Sequence, residues 1–487
     1  MPGTATLNSP FDLILFGAVG DLACRKLLPA LYHLEKANLL TAGSRIIACG
    51  YDQLILAQYL ELLAAKLKNF IPAALEQEIW QRLQARISYC SIDISIPHEF
   101  LRLKDIVNPK DRVIISYFAI PPSLYAQACK GLSQAGLTAS PARVVLEKPL
   151  GEDLGSSIAI NNAVAEFFSE EQIYRIDHYL GKETVINLLV LRFANAIFSA
   201  NWDHHSIEKI EILIAEELGV EGRWNYYDKA GQLRDMVQNH LLQILSLITM
   251  EPPVSLTADS IRTEKLKALT SLRLINESSV QNYTVRGQYS RSVEGAGLPG
   301  YLEEPGANLT SQTETFVAIK TYIDNERWSG VPCYLITGKR LAKKQSEIII
   351  HFKPQAQNLF QSIDSPLPGN QLIIKLQPDE GIGLNILNKT SGLDTRIKLD
   401  ACELSLNFNA LFKTERVVDA YERLLLEVML GHQYLFVSRT EIEQAWRWID
   451  SIKKAWDSMQ TPLFNYPSGS QGPDALRRLF EDETCLS

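Results

Sequence analysis

The chain has no Cys-x-x-Cys pair. Its seven cysteines (Cys24, Cys49, Cys90, Cys129, Cys333, Cys402 and Cys485) are scattered and odd in number. That spacing speaks against a zinc site or a disulfide framework, so no metal is expected and the thiols read as free, in a reducing compartment. There is no excess of positive charge: 48 Lys and Arg face 56 Asp and Glu, a net charge of −8. A general nucleic-acid binder would need a basic stripe, so no nucleic-acid partner is expected. Any anionic ligand must then be held by a local cationic pocket. No apolar run approaches the roughly 20 residues that span a bilayer. The opening MPGTATLNSP has neither the basic nor the apolar region of a signal peptide. A cytoplasmic protein without a membrane partner is expected. Internal repeats and low-complexity linkers are also missing. What is present is ordinary globular composition, 46% apolar and 21% charged. At 487 residues the chain is too long for one core, and two or more domains are expected.

Short apolar runs at 11–16, 45–49, 112–119 and 143–147 alternate with helical spacing at 21–40 and 55–68. Such alternation predicts βαβ units and a parallel sheet. Residues 1–178 are therefore expected to form an α/β, Rossmann-like, dinucleotide-binding domain. After about residue 200 the texture changes. Strand candidates lie at 209–215, 316–323, 347–353, 372–377, 383–387 and 396–408, several of them alternating apolar and polar. Helices are predicted at 183–198, 232–249, 415–430 and 440–456. Residues 179–487 are thus expected to form an α+β domain with a large, mainly antiparallel sheet, serving substrate binding and dimerisation.

The loop Gly17-Ala18-Val19-Gly20-Asp21-Leu22 joins the first strand to the first helix. Glycine permits a tight turn and close backbone approach to a pyrophosphate, and the helix start offers N–H donors. The spacing is G-x-x-G, which a structural turn shares with a cofactor loop. At the end of the second strand stand Tyr51 and Asp52, and no Arg or Lys occurs from 46 through 65. An acidic group there suits a free ribose 2′-hydroxyl and repels a 2′-phosphate, which favours NAD. The alternative is a solvated turn.

Lys148 follows the strand at 143–147, at the end where ligands bind in parallel sheets. The segment Arg175–Glu183 carries four charged groups, one histidine and one tyrosine in nine residues. If it is helical from 178, His178 and Lys182 are i,i+4 neighbours and, with Tyr179, could clamp a phosphate. Asp177 would then face elsewhere. His240 lies in the row Met236, His240, Ile244, Ile248 of an apolar helix, as core histidines do. Paired with a buried carboxylate it becomes a general base near neutral pH. Asp177 is the candidate partner; Asp235, five residues earlier, is less well placed on the same face of an α-helix. Glu216, Lys339 and Lys344 are individually indistinguishable from surface charges.

Together these stretches resemble the glucose-6-phosphate dehydrogenase family. The resemblance rests on residues 17–22 with 25–30, on 147–151, 175–183 and 221–228, and on 234–240, 300–306, 337–341 and 419–427. It implies that His240 takes the proton from the sugar C1 hydroxyl and that Asp177 orients it. Hydride would pass to NADP or NAD, turning glucose 6-phosphate into a 6-phosphogluconolactone. The resemblance assigns His178, Tyr179 and Lys182 to the phosphate, and Glu216, Asp235, Lys339 and Lys344 to the substrate. Lys148 would bridge sugar and nicotinamide. Gly17, Ala18, Val19, Gly20, Asp21, Leu22, Tyr51, Asp93 and Ile94 would line the cofactor. A homodimer or homotetramer is implied. Three positions depart from the family pattern: Val19 for a serine-like residue, Tyr51 for the arginine that clamps the 2′-phosphate, and Ile336 for an arginine before Thr-Gly-Lys. NAD and NADP both stay open on these residues. Two rivals are a different sugar oxidoreductase of similar build and a sugar-phosphate sensor without turnover.

Overall fold

The structure, a computed structural model, describes residues 9–71, 75–292, 297–355, 359–360, 367–393, 397–412 and 416–481. By contact the chain forms two compact units.

The first unit comprises residues 1–182, 253–263 and 418–443. Its sheet has six strands: β1 (Phe11–Phe16), β2 (Arg45–Gly50), β3 (Ile87–Ser91), β4 (Val113–Phe118), β5 (Arg143–Leu146) and β6 (Ile173–Arg175). Their order is β3-β2-β1-β4-β5-β6, and all pairs are parallel. All six residues of β1 are buried, as a strand covered on both faces requires. The order reverses direction between β1 and β4. The crevice beyond the carboxyl ends of those two strands is where doubly wound folds bind ligands.

The sequence predicts a single boundary at 178/179. By contact, residues 179–182, 253–263 and 418–443 cluster with the first unit instead. The helix Ala420–Leu430 is the main reason. Asp419 caps its start, taking the Tyr421 N–H at 2.9 Å, and also accepts from Lys26 at 2.8 Å. At its end, Arg143 donates to the carbonyls of Val428 and Met429 at 2.6 and 2.9 Å. These tertiary bonds join positions 285 to 393 residues apart, so no local pattern announces them.

The second unit comprises residues 183–252, 264–417 and 444–487. Its strands are β7 (Ile207–Ala215), β8 (Thr284–Ser290), β9 (Phe316–Thr321), β10 (Cys333–Gly338), β11 (Gln345–Phe352), β12 (Gln371–Gln377), β13 (Gly381–Lys389), β14 (Leu399–Asn407) and β15 (Leu463–Pro467). The order is β14-β13-β12-β11-β7-β10-β9-β8-β15. All pairs are antiparallel except β7 with β10 and β8 with β15. Burial alternates along β11 and β12, so one face of the sheet packs on the core. The helix Leu242–Thr249 is buried on every side. An aromatic cluster of Trp224, Tyr227, Tyr289, Tyr301, Phe316, Tyr334 and Tyr466 fills the core near β8, β9 and β10. Of the cysteines, six lie among the described residues as free thiols, and Cys485 lies outside them.

Candidate active site

In the first unit the glycine loop follows β1 directly. Gly17 adopts φ +79, and a Cβ there would collide with the carbonyl oxygen of Ala119, so only glycine fits. The N–H groups of Gly17 and Ala18 donate to the Cys49 carbonyl, each at 3.0 Å, which ties the loop to β2. Gly20 closes the turn on the Gly17 carbonyl at 2.9 Å. Helical structure begins at Asp21, with a π-turn over Ala23–Leu27 before the α-helix Leu28–Lys36. A tight turn with glycine at both ends, feeding a helix start, is the cradle that a dinucleotide pyrophosphate needs.

Tyr51 is 75% exposed beyond the end of β2. Ser91, at the end of β3, donates to its carbonyl at 3.4 Å, and Tyr89 donates to the Asp52 carbonyl at 2.7 Å. The side chain of Asp93 accepts from Ser95, which holds its carboxyl below the usual range, and its N–H donates to Glu99 at 2.7 Å. Ile94 is half-buried beside it. Two cations that sequence reasoning missed come close to this rim. Lys66, from the helix Leu56–Phe70, donates to the Val19 carbonyl of the glycine loop at 3.0 Å. Arg102 donates to the Ser91 carbonyl at 2.9 Å. Lys66 is the first cation after the stretch 46–65, and its reach depends on how its helix docks.

Beyond β5, Glu147 is buried and accepts from the Tyr117 hydroxyl at 2.5 Å. The Tyr125 hydroxyl donates to its carbonyl at 3.0 Å, and Tyr421 bonds its carboxyl as well. Burial pushes this carboxyl up to about 7, against the tyrosines and the neighbouring Lys148. Lys148 itself is half-buried.

The segment after β6 is buried although it is charged: Arg175 is 1% exposed, Asp177 3% and Lys182 8%. Arg175 is satisfied by a bidentate pair with Glu170 at 2.7 and 3.0 Å and by Asn161 at 2.9 Å, so it serves the fold. Asp177 caps a 3₁₀ turn, His178–Gly181, accepting the Tyr179 N–H at 3.0 Å. The expected i,i+4 pairing of His178 with Lys182 on an α-helix is corrected here. Lys182 is extended, and the α-helix begins only at Glu183. The three residues meet by another route. The Lys182 ammonium lies 5.4 Å from the Tyr179 ring centre, and the His178 ring lies 5.0 Å from Tyr179. Tyr421 stacks on His178 at 6.2 Å and 12°. Gly181 permits this turn, since a Cβ there would come within 2.6 Å of the Ala420 carbonyl.

In the second unit, two residues read singly as surface charges, Glu216 and Lys339, come together with Asp235. Lys339, just past β10 and 3% exposed, pairs with Glu216, just past β7, at 2.6 Å. Its ammonium is 4.0 Å from Asp235 and 5.2 Å from the Tyr227 ring centre. The parallel pairing of β7 with β10 puts both strand ends at one corner. Sequence reasoning did not mark β10. It is a fully buried strand whose apolar run is short and ends in Thr337 and Gly338, and short apolar runs do not separate strand from helix. Lys344 is exposed in the turn before β11, and no hydrogen bond or ion pair joins it to this group.

His240 is fully buried. The segment carrying it, Leu233–Leu241, is π-helical, so the α-helical row Met236, His240, Ile244, Ile248 does not hold across it. The i→i+5 bonding turns the spacing of Asp235 and His240 into one turn, where an α-helix would rotate them apart. Such π segments are uncommon and concentrate at functional sites.

Residues 14–187 match the glucose-6-phosphate dehydrogenase NAD binding domain, and residues 189–485 match the glucose-6-phosphate dehydrogenase C-terminal domain. The chain is 53% identical over 465 residues to glucose-6-phosphate 1-dehydrogenase of Dickeya dadantii (strain 3937), covering 95% of each. Among solved structures it resembles a glucose-6-phosphate dehydrogenase in complex with its substrate glucose-6-phosphate, with a TM-score of 0.89 and 34% identity over 97% of each chain. It also resembles glucose-6-phosphate 1-dehydrogenase from Mycobacterium avium, with a TM-score of 0.84 and 34% identity over 97% of this chain and 96% of that one. Two family domains that between them take in residues 14–187 and 189–485, and a near-complete match to a relative above 50% identity, lead to one conclusion: the chain belongs to the glucose-6-phosphate dehydrogenase family.

Proposed function

We propose that this protein oxidises D-glucose 6-phosphate to 6-phospho-D-glucono-1,5-lactone with NADP or NAD, the first oxidative step of the pentose phosphate pathway. The observation that carries the reading is the 53% identity to a glucose-6-phosphate 1-dehydrogenase across 95% of both chains. Every side chain that the chemistry needs is present. His240 takes the proton of the C1 hydroxyl as the C1–H hydride leaves. The imidazolium that forms is stabilised by Asp177, which also holds the ring in one tautomer. Bound NADP or NAD supplies the hydride acceptor. His178, Tyr179 and Lys182 hold the phosphate. Glu216, Asp235, Lys339 and Lys344 hold the sugar, and Lys148 serves both sugar and nicotinamide. Gly17 to Leu22 cradle the pyrophosphate, with Tyr51, Asp93 and Ile94 at the adenosine end.

We place the enzyme in the cytoplasm as a homodimer or homotetramer that does not bind nucleic acid, in keeping with its net charge of −8. No helix among the described residues is long and apolar enough to cross a membrane.

The test is reduced-cofactor absorbance with glucose 6-phosphate and each cofactor. Turnover is expected, and none with either cofactor in a folded protein would favour a sensor. His240→Asn should cut kcat roughly a hundredfold to ten-thousandfold while glucose 6-phosphate still binds. Persisting turnover would remove His240 from the base role.

A further inference from the structure

The helix Trp224–Gln232 breaks at Gly231, where φ is +68 and ψ is 169, before the π-helical segment starts. A break of this kind strips the next N–H groups of their helical acceptors. Here they belong to Gln232 and Leu233, which are buried. One residue answers both. The carbonyl oxygen of Glu314 accepts from Gln232 N–H at 3.0 Å, and its carboxylate Oε1 accepts from Leu233 N–H at 3.1 Å.

Glu314 lies on the run into β9 and is itself buried. Its neighbour Thr315 accepts the Lys339 N–H at 2.9 Å, so one dipeptide holds both the start of the π-helix and Lys339. Tyr227 reinforces the joint, donating to Gln232 Oε1 at 2.6 Å and to the Glu314 carbonyl at 3.2 Å. Gln232 in turn donates to Thr337 on β10 at 2.8 Å. A Cβ on Gly231 would collide with the Glu314 carboxylate, so the glycine leaves room for the cap as well as for the turn. Burial pushes the carboxyl up, and backbone N–H groups with Arg286 and Arg234 pull it back.

We propose that Glu314 is a positioning residue that caps the π-helical segment Leu233–Leu241 and thereby sets where Asp235 and His240 stand. The inference rests on the roles proposed above for those two residues. Glu314 touches neither, and it acts through the backbone of Leu233. A buried donor left without its acceptor is costly, and the relief available is a shift of the segment.

The test compares Glu314→Gln, Glu314→Asp and Glu314→Ala in the full chain. Gln keeps an acceptor oxygen in place, Asp withdraws it by one methylene, and Ala removes it. Gln is expected within about threefold of the parent in kcat/KM for glucose 6-phosphate, whereas Asp and Ala fall at least ~10-fold. The KM for the cofactor stays within about twofold, because the residues assigned to the cofactor lie elsewhere in the chain. A residue that only stabilised the fold would lower the melting temperature and leave kcat/KM of the folded enzyme unchanged.

A cleft of about 280 Å³ lined by Arg234, Arg286, Glu314 and Trp456 lets a small carboxylate reach the vacated position in the Ala variant. Formate, and not chloride at equal ionic strength, should then restore part of the lost activity. Parent-like kcat/KM in both Asp and Ala would overturn the proposal, as would a loss in Gln equal to that in Ala. Should Ala fail to fold, the Gln and Asp pair decides. Amide exchange across 232–241 supplies a readout without turnover. It should quicken in Asp and Ala, and unchanged exchange would also sink the cap. If the parent enzyme does not oxidise glucose 6-phosphate, the functional reading falls while the exchange still judges the cap.

Discussion

Tyr51 is the residue proposed to stand at the adenosine end of the cofactor. A tyrosine can stack on adenine but cannot pair with a phosphate, and at 75% exposure it is open to a ligand. The nearby cations are partly engaged: Lys66 on the Val19 carbonyl and Arg102 on the Ser91 carbonyl. Tyr51→Arg should therefore raise the NADP-to-NAD ratio of kcat/KM by about tenfold, through a charge-assisted contact to the 2′-phosphate. An unchanged ratio would show that Tyr51 does not face that phosphate. Tyr51 and Asp52 were legible in the sequence because they sit at a fixed offset from a recognisable strand. Lys66 was not, because what matters is where its helix lies. Glu216, Asp235 and Lys339 show the same limit. Each is an ordinary charge in the sequence, and only their convergence, with Lys339 at 3% exposure, marks a site.

Among the elements, the turns and helix variants hold the residues proposed for the chemistry. The glycine loop was readable from Gly17 and Gly20 after an apolar run, and the structure adds why Gly17 admits no side chain. Gly17→Ala puts a methyl group against the Ala119 carbonyl at φ +79. The loop must move, and the KM for the cofactor should rise at least ~10-fold with a smaller effect on glucose 6-phosphate. Equal effects on both would point to general unfolding instead. Two helix variants were not readable. The 3₁₀ turn His178–Gly181 and the π-helix Leu233–Leu241 both carry residues at spacings that look α-helical in a bare sequence. Their departures come from tertiary partners: the Ala420 carbonyl packed against Gly181, and Glu314 bonded to Leu233.

For the molecule as a whole, the return of residues 418–443 to the first unit matters most. It brings Tyr421 onto the carboxyl of Glu147 and onto the His178 ring, so a late helix packs on two early segments. It also buries Glu147, whose carboxyl is pushed from 4.5 up to about 7. The folded protein therefore keeps this proton where the unfolded chain has released it. The resulting stabilisation is full below about pH 4.5 and is lost as pH rises through about 7. Its size is of order 3 kcal/mol. Glu147→Gln should flatten this contribution, so that urea midpoints of variant and parent diverge in the variant's favour as pH rises from 5 to 8. A constant difference across that range would mean that Glu147 is not protonated in the folded protein.

Local pattern was enough to settle the two-part architecture, the parallel sheet and the glycine loop. Those features are written in runs, spacings and motifs that survive without neighbours. Strand β10, the 3₁₀ and π segments, the Lys339 cluster and the home of residues 418–443 were decided by packing. A helix changes its pitch to suit a bond from a distant segment, and charges converge when distant segments enclose them. Long-range contact supplies each of those causes, and it is the one quantity that a linear reading of residues does not contain.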